Sequence, residues 1–391
     1  MWNYHNPVRV HAGSGALEQL PALVGERRAI LVAFPEARAL GLVDRLRGLL
    51  GPRLVAAETG VLPNPDVAWL APLYERLWAE QPDAACVVAL GGGSAIDCAK
   101  AMLVRTAGAR FAQLLQAMEG DARHLAQDGH RRLIAIPTTA GTGSEVTPWA
   151  TVWDQRAGRK LSLQLDCTWP EAAIVDARLM ASLPPAATLA SGLDALSHAF
   201  EALWNVHRNP VSAGLAVSAA RAILATLPAL MRAPQRLDLR ETLATAALQA
   251  GLAFSNTRTA LAHALSYDIT LEQGTAHGIA CSFSLPRVMA LALGHDAAVD
   301  AQLLSVFGAR DGAAAVAALD HFLRSLGVST NPADHGIAEA QWAARISQAL
   351  QGPRGRNFIA ASTAPFNALF NAPVNAASNA HSNPPTEATT P

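Results

Sequence analysis

Three short apolar runs, each followed by a helical pattern or a polar turn, set the first constraint on this chain. Ala29-Ile-Leu-Val-Ala33 reads as a buried strand, with a helix over 39–50 after it. Ala85-Cys-Val-Val-Ala-Leu90 reads as a second strand, with a helix over 94–104. Arg132-Leu-Ile-Ala-Ile136 reads as a third, stopped by Pro137. Such alternation argues for parallel strands joined by helical crossovers. The texture changes near Ser182-Leu-Pro-Pro185. Ala/Leu-rich segments with helical spacing run over 185–227, 237–252, 313–326 and 338–350, which reads as an all-helical unit. The expected organisation is an α/β domain over 1–183, an all-α domain over 184–365 and a tail over 366–391. That tail is rich in Asn, Ala, Ser, Pro and Thr and is expected to be disordered.

Composition narrows the partners. The chain has 391 residues, 51% of them hydrophobic, and a formal net charge of -1. A balance so close to neutral gives no reason to expect nucleic acid or an acidic membrane surface. No uninterrupted apolar stretch of about 18 residues is present, so no membrane partner is expected. The N-terminal Met1-Trp-Asn-Tyr-His-Asn-Pro7 lacks a basic region followed by an apolar run, so a cytoplasmic location is expected. Cys86, Cys98, Cys167 and Cys281 form no CxxC pair and read as reduced, partly core thiols.

Asp194 and His198 stand four residues apart in Ser191-Gly-Leu-Asp-Ala-Leu-Ser-His198. On a helix they share one face. Alone, such a pair is more often a solvated couple than a ligand pair. Here the neighbours are Leu193, Ala195, Leu196, Ala199 and Phe200, and a buried unpaired carboxylate would be costly. His263 is flanked by Ala262 and Ala264, and His277 precedes Gly278, where backbone can approach closely. A shared divalent cation would satisfy all four groups.

The second strand ends in Gly91-Gly-Gly-Ser94. Ser94 is expected to cap the following helix, with Asp97 completing a capping box. Free N–H groups and the positive helix end would favour a pyrophosphate, although this is not the G-x-G-x-x-G fingerprint. A second polar loop, Pro137-Thr-Thr-Ala-Gly-Thr-Gly-Ser-Glu145, follows the third strand at the usual ligand edge of an open α/β sheet.

Together, Gly91–Asp97, Pro137–Glu145, Gly192–His198 and the two later histidines resemble the iron-containing (group III) alcohol dehydrogenase family, from about Asn6 to about Arg356. The resemblance implies a dehydroquinate synthase-like fold. An α/β nucleotide-binding domain would pack on an all-α metal-binding domain, with the active site between them. It implies a catalytic metal on Asp194, His198, His263 and His277, and NAD or NADP as cofactor. Gly91, Gly92, Gly93, Ser94 and Asp97 would meet the pyrophosphate or nicotinamide side. Thr138, Thr139 and Thr142 would line the nucleotide, and Lys160 would reach its ribose. Three imidazoles and a carboxylate suit Fe(II) or Zn(II). The implied reaction is hydride transfer between the nicotinamide and a metal-bound short aldehyde or alcohol. A homodimer is expected.

Two positions depart from the family pattern. Many members carry a further histidine four residues after the third ligand, where this chain has Tyr267. Members that prefer NAD often end the first strand with Asp, where this chain has Phe34; the missing carboxylate would favour NADP(H), with Glu36 close by. Phe200–Pro210 and Ser255–Tyr267 look similar to the phosphonoacetaldehyde reductase branch. Arg258 and Arg208 are then the candidate cations for a phosphonate. The competing readings are a generic primary alcohol or diol dehydrogenase, a glycerol dehydrogenase-like enzyme, and a catalytically silent binding protein on the same fold.

Overall fold

The computed structural model describes residues 1–362; the tail expected over 366–391 lies outside the described residues. Six strands form one parallel sheet: β1 (Arg9–Ala12), β2 (Ala29–Ala33), β3 (Leu54–Glu58), β4 (Cys86–Gly91), β5 (Arg132–Pro137) and, last in sequence, β8 (Ala172–Val175). Between β5 and β8 an antiparallel hairpin of β6 (Trp149–Asp154) and β7 (Arg159–Gln164) stands apart. The sheet order is β1-β8-β5-β4-β2-β3. From β2 the chain moves outward to β3, then returns to the other side of β2 for β4 and moves the opposite way. That reversal is a topological switch point, where the loops after β2 and β4 part and leave a crevice. The central strands β2 and β4 are buried along their whole length, as the uninterrupted apolar runs require.

The helix after β4 spans Gly93–Leu103, and its N-cap is Gly92. The capping box expected from Ser94 and Asp97 does not form. The Ser94 hydroxyl instead accepts from the Asn64 N–H at 3.2 Å. Asp97 turns inward, accepting from the Ser144 hydroxyl at 2.6 Å and the Thr151 N–H at 2.9 Å. One turn on, buried Lys100 donates to Ser144 and to the Trp149 carbonyl. The two side chains pin the post-β5 loop and the hairpin to the sheet.

From Pro185 the described chain is helical. The segment expected as one pattern over 185–227 is two helices, Pro185–Leu203 and Pro210–Arg232. The break is held from afar: the Val206 N–H donates to the Asn357 carbonyl, and Asn205 bridges Phe358. Pro210–Arg232 is long and apolar enough to cross a bilayer by length and composition. Here its Ala216, Ala220, Ile223 and Leu227 are buried in the helical core with Leu193, Leu196 and Ala247. Helices Leu237–Thr257, Leu261–Gln273 and the short His277–Ser282 complete the part that carries the site.

Candidate functional site

A cleft of about 1040 Å³ runs between the carboxyl ends of the sheet strands and the helices, large enough for a dinucleotide and a small substrate. One wall is the switch point: Phe34 and Glu36 after β2, Gly92 and Gly93 after β4, Thr139 and Thr142 after β5. At Gly93 a Cβ would stand 2.8 Å from the Thr142 methyl, so the two loops approach as only glycine allows. Gly91 and Thr138 stand behind this wall, where the Thr138 N–H donates to the Gly91 carbonyl at 3.0 Å.

The hairpin forms a second wall, and period-2 alternation explains how. Trp149, Thr151 and Trp153 of β6 face Gln164, Ser162 and Lys160 of β7, and all six line the cleft. Their neighbours Ala150, Val152, Leu161 and Leu163 are buried behind.

At the far end lies the cluster. Asp194, His198 and Glu201 share one face of the helix Pro185–Leu203, His263 comes from Leu261–Gln273, and His277 opens His277–Ser282. Asp194 Oδ1 lies 3.3 Å from His263 Nε2, 3.8 Å from His198 Nε2 and 4.0 Å from His277 Nε2. Asp194 Oδ1 and His263 Nε2 are fully buried, yet neither makes a hydrogen bond. Two such atoms facing each other at this distance fit a shared cation. The outer ring nitrogens are tied down. His198 Nδ1 lies 3.3 Å from the Gly141 carbonyl, and His263 Nδ1 2.6 Å from Glu201 Oε2. Both arrangements leave Nε2 for a metal, with a second layer fixing the rings.

Helix His277–Ser282 reaches the cluster because residue 278 is glycine. A Cβ there would stand 1.8 Å from the Ala190 carbonyl oxygen. One turn after His277, the Cys281 Sγ comes within 3.5 Å of its Nε2. The ligand atoms of Asp194, His263, His277 and Cys281 all lie within 4.8 Å of one another.

The electrostatics match a site built for a cation. Burial works against charge on Asp194, but the facing imidazoles outweigh it and hold the carboxyl below its ordinary range. Burial pushes His198 down to about 4. Burial also opposes charge on His263 and His277. Cys281, Glu201 and Asp194 hold His263 well above its ordinary value, and Cys281 and Asp194 bring His277 to about 9. A divalent cation would replace protons on these groups when it binds.

Between cluster and hairpin sits Tyr267, stacked on His277 with ring centroids 5.9 Å apart. The Lys160 ammonium lies 3.5 Å and the Arg354 guanidinium 4.9 Å from its ring centre. Burial would raise the phenol, but these two cations bring it down to about 8. Arg258 lines the cleft at the end of Leu237–Thr257, in left-handed backbone at φ 66°. Asn205 holds its carbonyl at 3.1 Å. Such strain in a non-glycine residue concentrates at functional sites. The other expected cation is a correction: Arg208 is not part of the cleft wall, because its guanidinium donates to Asp296 at 2.7 Å. Sequence reasoning missed Glu201, Cys281 and Arg354.

Comparison with known proteins agrees with this geometry. Residues 7–177 match the model of iron-containing alcohol dehydrogenases, and residues 188–374 that of the Fe-containing alcohol dehydrogenase family, C-terminal. The chain is 30% identical to an NAD-dependent methanol dehydrogenase of Bacillus methanolicus, over 87% of this chain and 91% of that one. It is 35% identical to a phosphonoacetaldehyde reductase of Streptomyces viridochromogenes, over 63% of this chain and 62% of that one. The structure is similar to that of sulfoacetaldehyde reductase from Bifidobacterium kashiwanohense in complex with NAD+, with a TM-score of 0.82, 29% identity, and 92% and 94% of the two chains covered. On the matched family models, the switch-point cleft and the Asp–His cluster at its end, this chain belongs to the iron-containing alcohol dehydrogenase family.

Proposed function

We propose that this chain reduces a short aldehyde bearing an anionic group, with NADH or NADPH as hydride donor and phosphonoacetaldehyde as first choice. The observation that carries this reading is the charge on the cleft wall. Lys160, Arg258 and Arg354 all line the cleft, and none forms an ion pair with a carboxylate among the described residues. Unpaired cations beside the cluster suit a phosphonate or sulfonate. Two relatives named above are reductases of such aldehydes.

Asp194, His198, His263 and His277 would hold the metal, and the buried orphan atoms fit that role. When bound, the ion supplies Lewis acidity to the substrate oxygen. The chain does the rest. Glu201 and the Gly141 carbonyl orient two of the imidazoles. Arg258, strained and held by Asn205, faces the anionic end. Tyr267, stacked on His277 beside the cluster, donates the proton in the reductive direction. Gly92, Gly93, Ser94, Thr139 and Thr142 line the dinucleotide side, with Lys160 toward its ribose. Asp97 lines the same wall and ties it to the loop after β5 and to the hairpin. Glu36 brings a carboxylate to the edge where Phe34 supplies none.

The test is a panel of aldehydes, including phosphonoacetaldehyde, sulfoacetaldehyde and neutral propionaldehyde, assayed with NADH and NADPH on metal-loaded protein. A kcat/KM for the anionic aldehydes at least ten-fold above the neutral one is expected. Equal values would return the chain to a generic primary alcohol dehydrogenase.

A further inference from the structure

Cys281 reads from sequence as a core thiol, and two other cysteines behave that way. Cys86 and Cys98 are buried within the hydrophobic layers beside the sheet. Cys281 is equally buried but keeps different company. It follows His277 by one helical turn, so both project to one face of His277–Ser282.

Its distance to His277 is that between two neighbouring ligands. Bonds of about 2.0–2.3 Å in a tetrahedral site place neighbouring donors roughly 3.3–3.7 Å apart. Cys281 Sγ stands 3.5 Å from His277 Nε2, and His263 Nε2 stands 3.3 Å from Asp194 Oδ1. All four donors lie within 4.8 Å of one another. A second observation is independent of the thiol: Asp194 Oδ1 and His263 Nε2 in the same group are buried without a hydrogen-bond partner. His198 lies outside the mutual group. Its ring is held between Phe254 and His263, with centroids 4.0 and 4.5 Å away.

We propose that Cys281 binds the metal as a thiolate, a further donor beside Asp194, His198, His263 and His277. This rests on the reading of the Asp194 cluster as a metal centre. On binding, the S–H bond breaks, its proton leaves to solvent and the metal–sulfur bond forms; no electron changes hands. Two anionic donors then balance a divalent cation, and the soft sulfur favours Zn(II) over Fe(II).

The experiment is zinc content and zinc-edge X-ray absorption on the full chain, beside its Cys281→Ser variant. One zinc per chain with a sulfur scatterer at about 2.3 Å is expected, the sulfur disappearing in Cys281→Ser while nitrogen and oxygen scatterers remain. Cobalt-loaded protein should show a thiolate-to-cobalt charge-transfer band that the variant lacks. Bound zinc with only nitrogen and oxygen neighbours in the native protein overturns the thiolate and leaves the metal centre standing. Failure to retain any metal overturns both. Should Cys281→Ser not fold, the native spectrum decides alone.

Discussion

The Glu201 carboxylate holds His263 twice, accepting from its backbone N–H at 3.1 Å and facing its Nδ1 at 2.6 Å. Both residues are buried, and they come from different helices. The pair fixes where a ligand helix begins and which way its imidazole points. Glu201→Gln keeps the shape but weakens the charge-assisted bond. Metal affinity, measured by chelator competition, should fall roughly ten- to a hundred-fold. Unchanged affinity would reduce Glu201 to a packing role.

Gly278→Ala tests the close approach of two helices. Its methyl would meet the Ala190 carbonyl, a backbone atom that cannot swing aside. The helix bearing His277 and Cys281 must move outward. Bound metal per chain should drop to a small fraction of the native value, while circular dichroism still reports a helical protein. A variant with native metal content would show that the helices yield without displacing His277.

Arg258→Ala should separate the substrates. Loss of a charge-assisted contact worth about 1.5–3 kcal/mol would lower kcat/KM for phosphonoacetaldehyde by roughly ten- to a hundred-fold. Propionaldehyde should be nearly unaffected. Equal losses on both would make Arg258 a structural residue of the helix end.

Tyr267 is expected to set a pH dependence. Its phenol is brought down to about 8 by Lys160 and Arg354. In the reductive direction the neutral phenol is the useful form. The rate should therefore fall as pH rises through about 8, and the oxidative direction should show the opposite limb. Tyr267→Phe should lower the rate and remove that limb. A limb that persists in Tyr267→Phe belongs to another group.

Glu36 is expected to bear on the choice of nucleotide. Its exposed carboxylate sits on the cleft edge beside Phe34, where it can accept from a ribose and repel a 2′-phosphate. Glu36→Gln should raise the NADPH:NADH ratio of kcat/KM by about ten-fold, equivalent to ~1.4 kcal/mol. No change in the ratio would mean that the carboxylate points away from the nucleotide.

What could be read from the sequence followed from periodicity. The four-residue spacing of Asp194 and His198 puts them on one helical face, and the same rule extended to seven residues reaches Glu201. Glu201 escaped because nothing near it in sequence announces His263, its partner 62 residues on. Arg208 misled for the same reason, with Asp296 lying 88 residues away. The hairpin was missed because its alternation spans only six residues per strand between Pro148 and the Asp166 turn. Ser94 looked like a cap because the glycines before it hide which residue turns; the structure gives that place to Gly92. Long-range partners carry no local signal, and they decided the places of Glu201 and Arg208.

The loop after β5 has contacts in two directions. Its Thr139 and Thr142 press on the glycine turn of the nucleotide wall, while the Gly141 carbonyl steadies His198. A shift of a few tenths of an ångström at one end of so short a segment is felt at the other. Occupancy of the two ends is then subject to reciprocity. Whatever factor the dinucleotide adds to the grip on the metal, the metal adds to the grip on the dinucleotide.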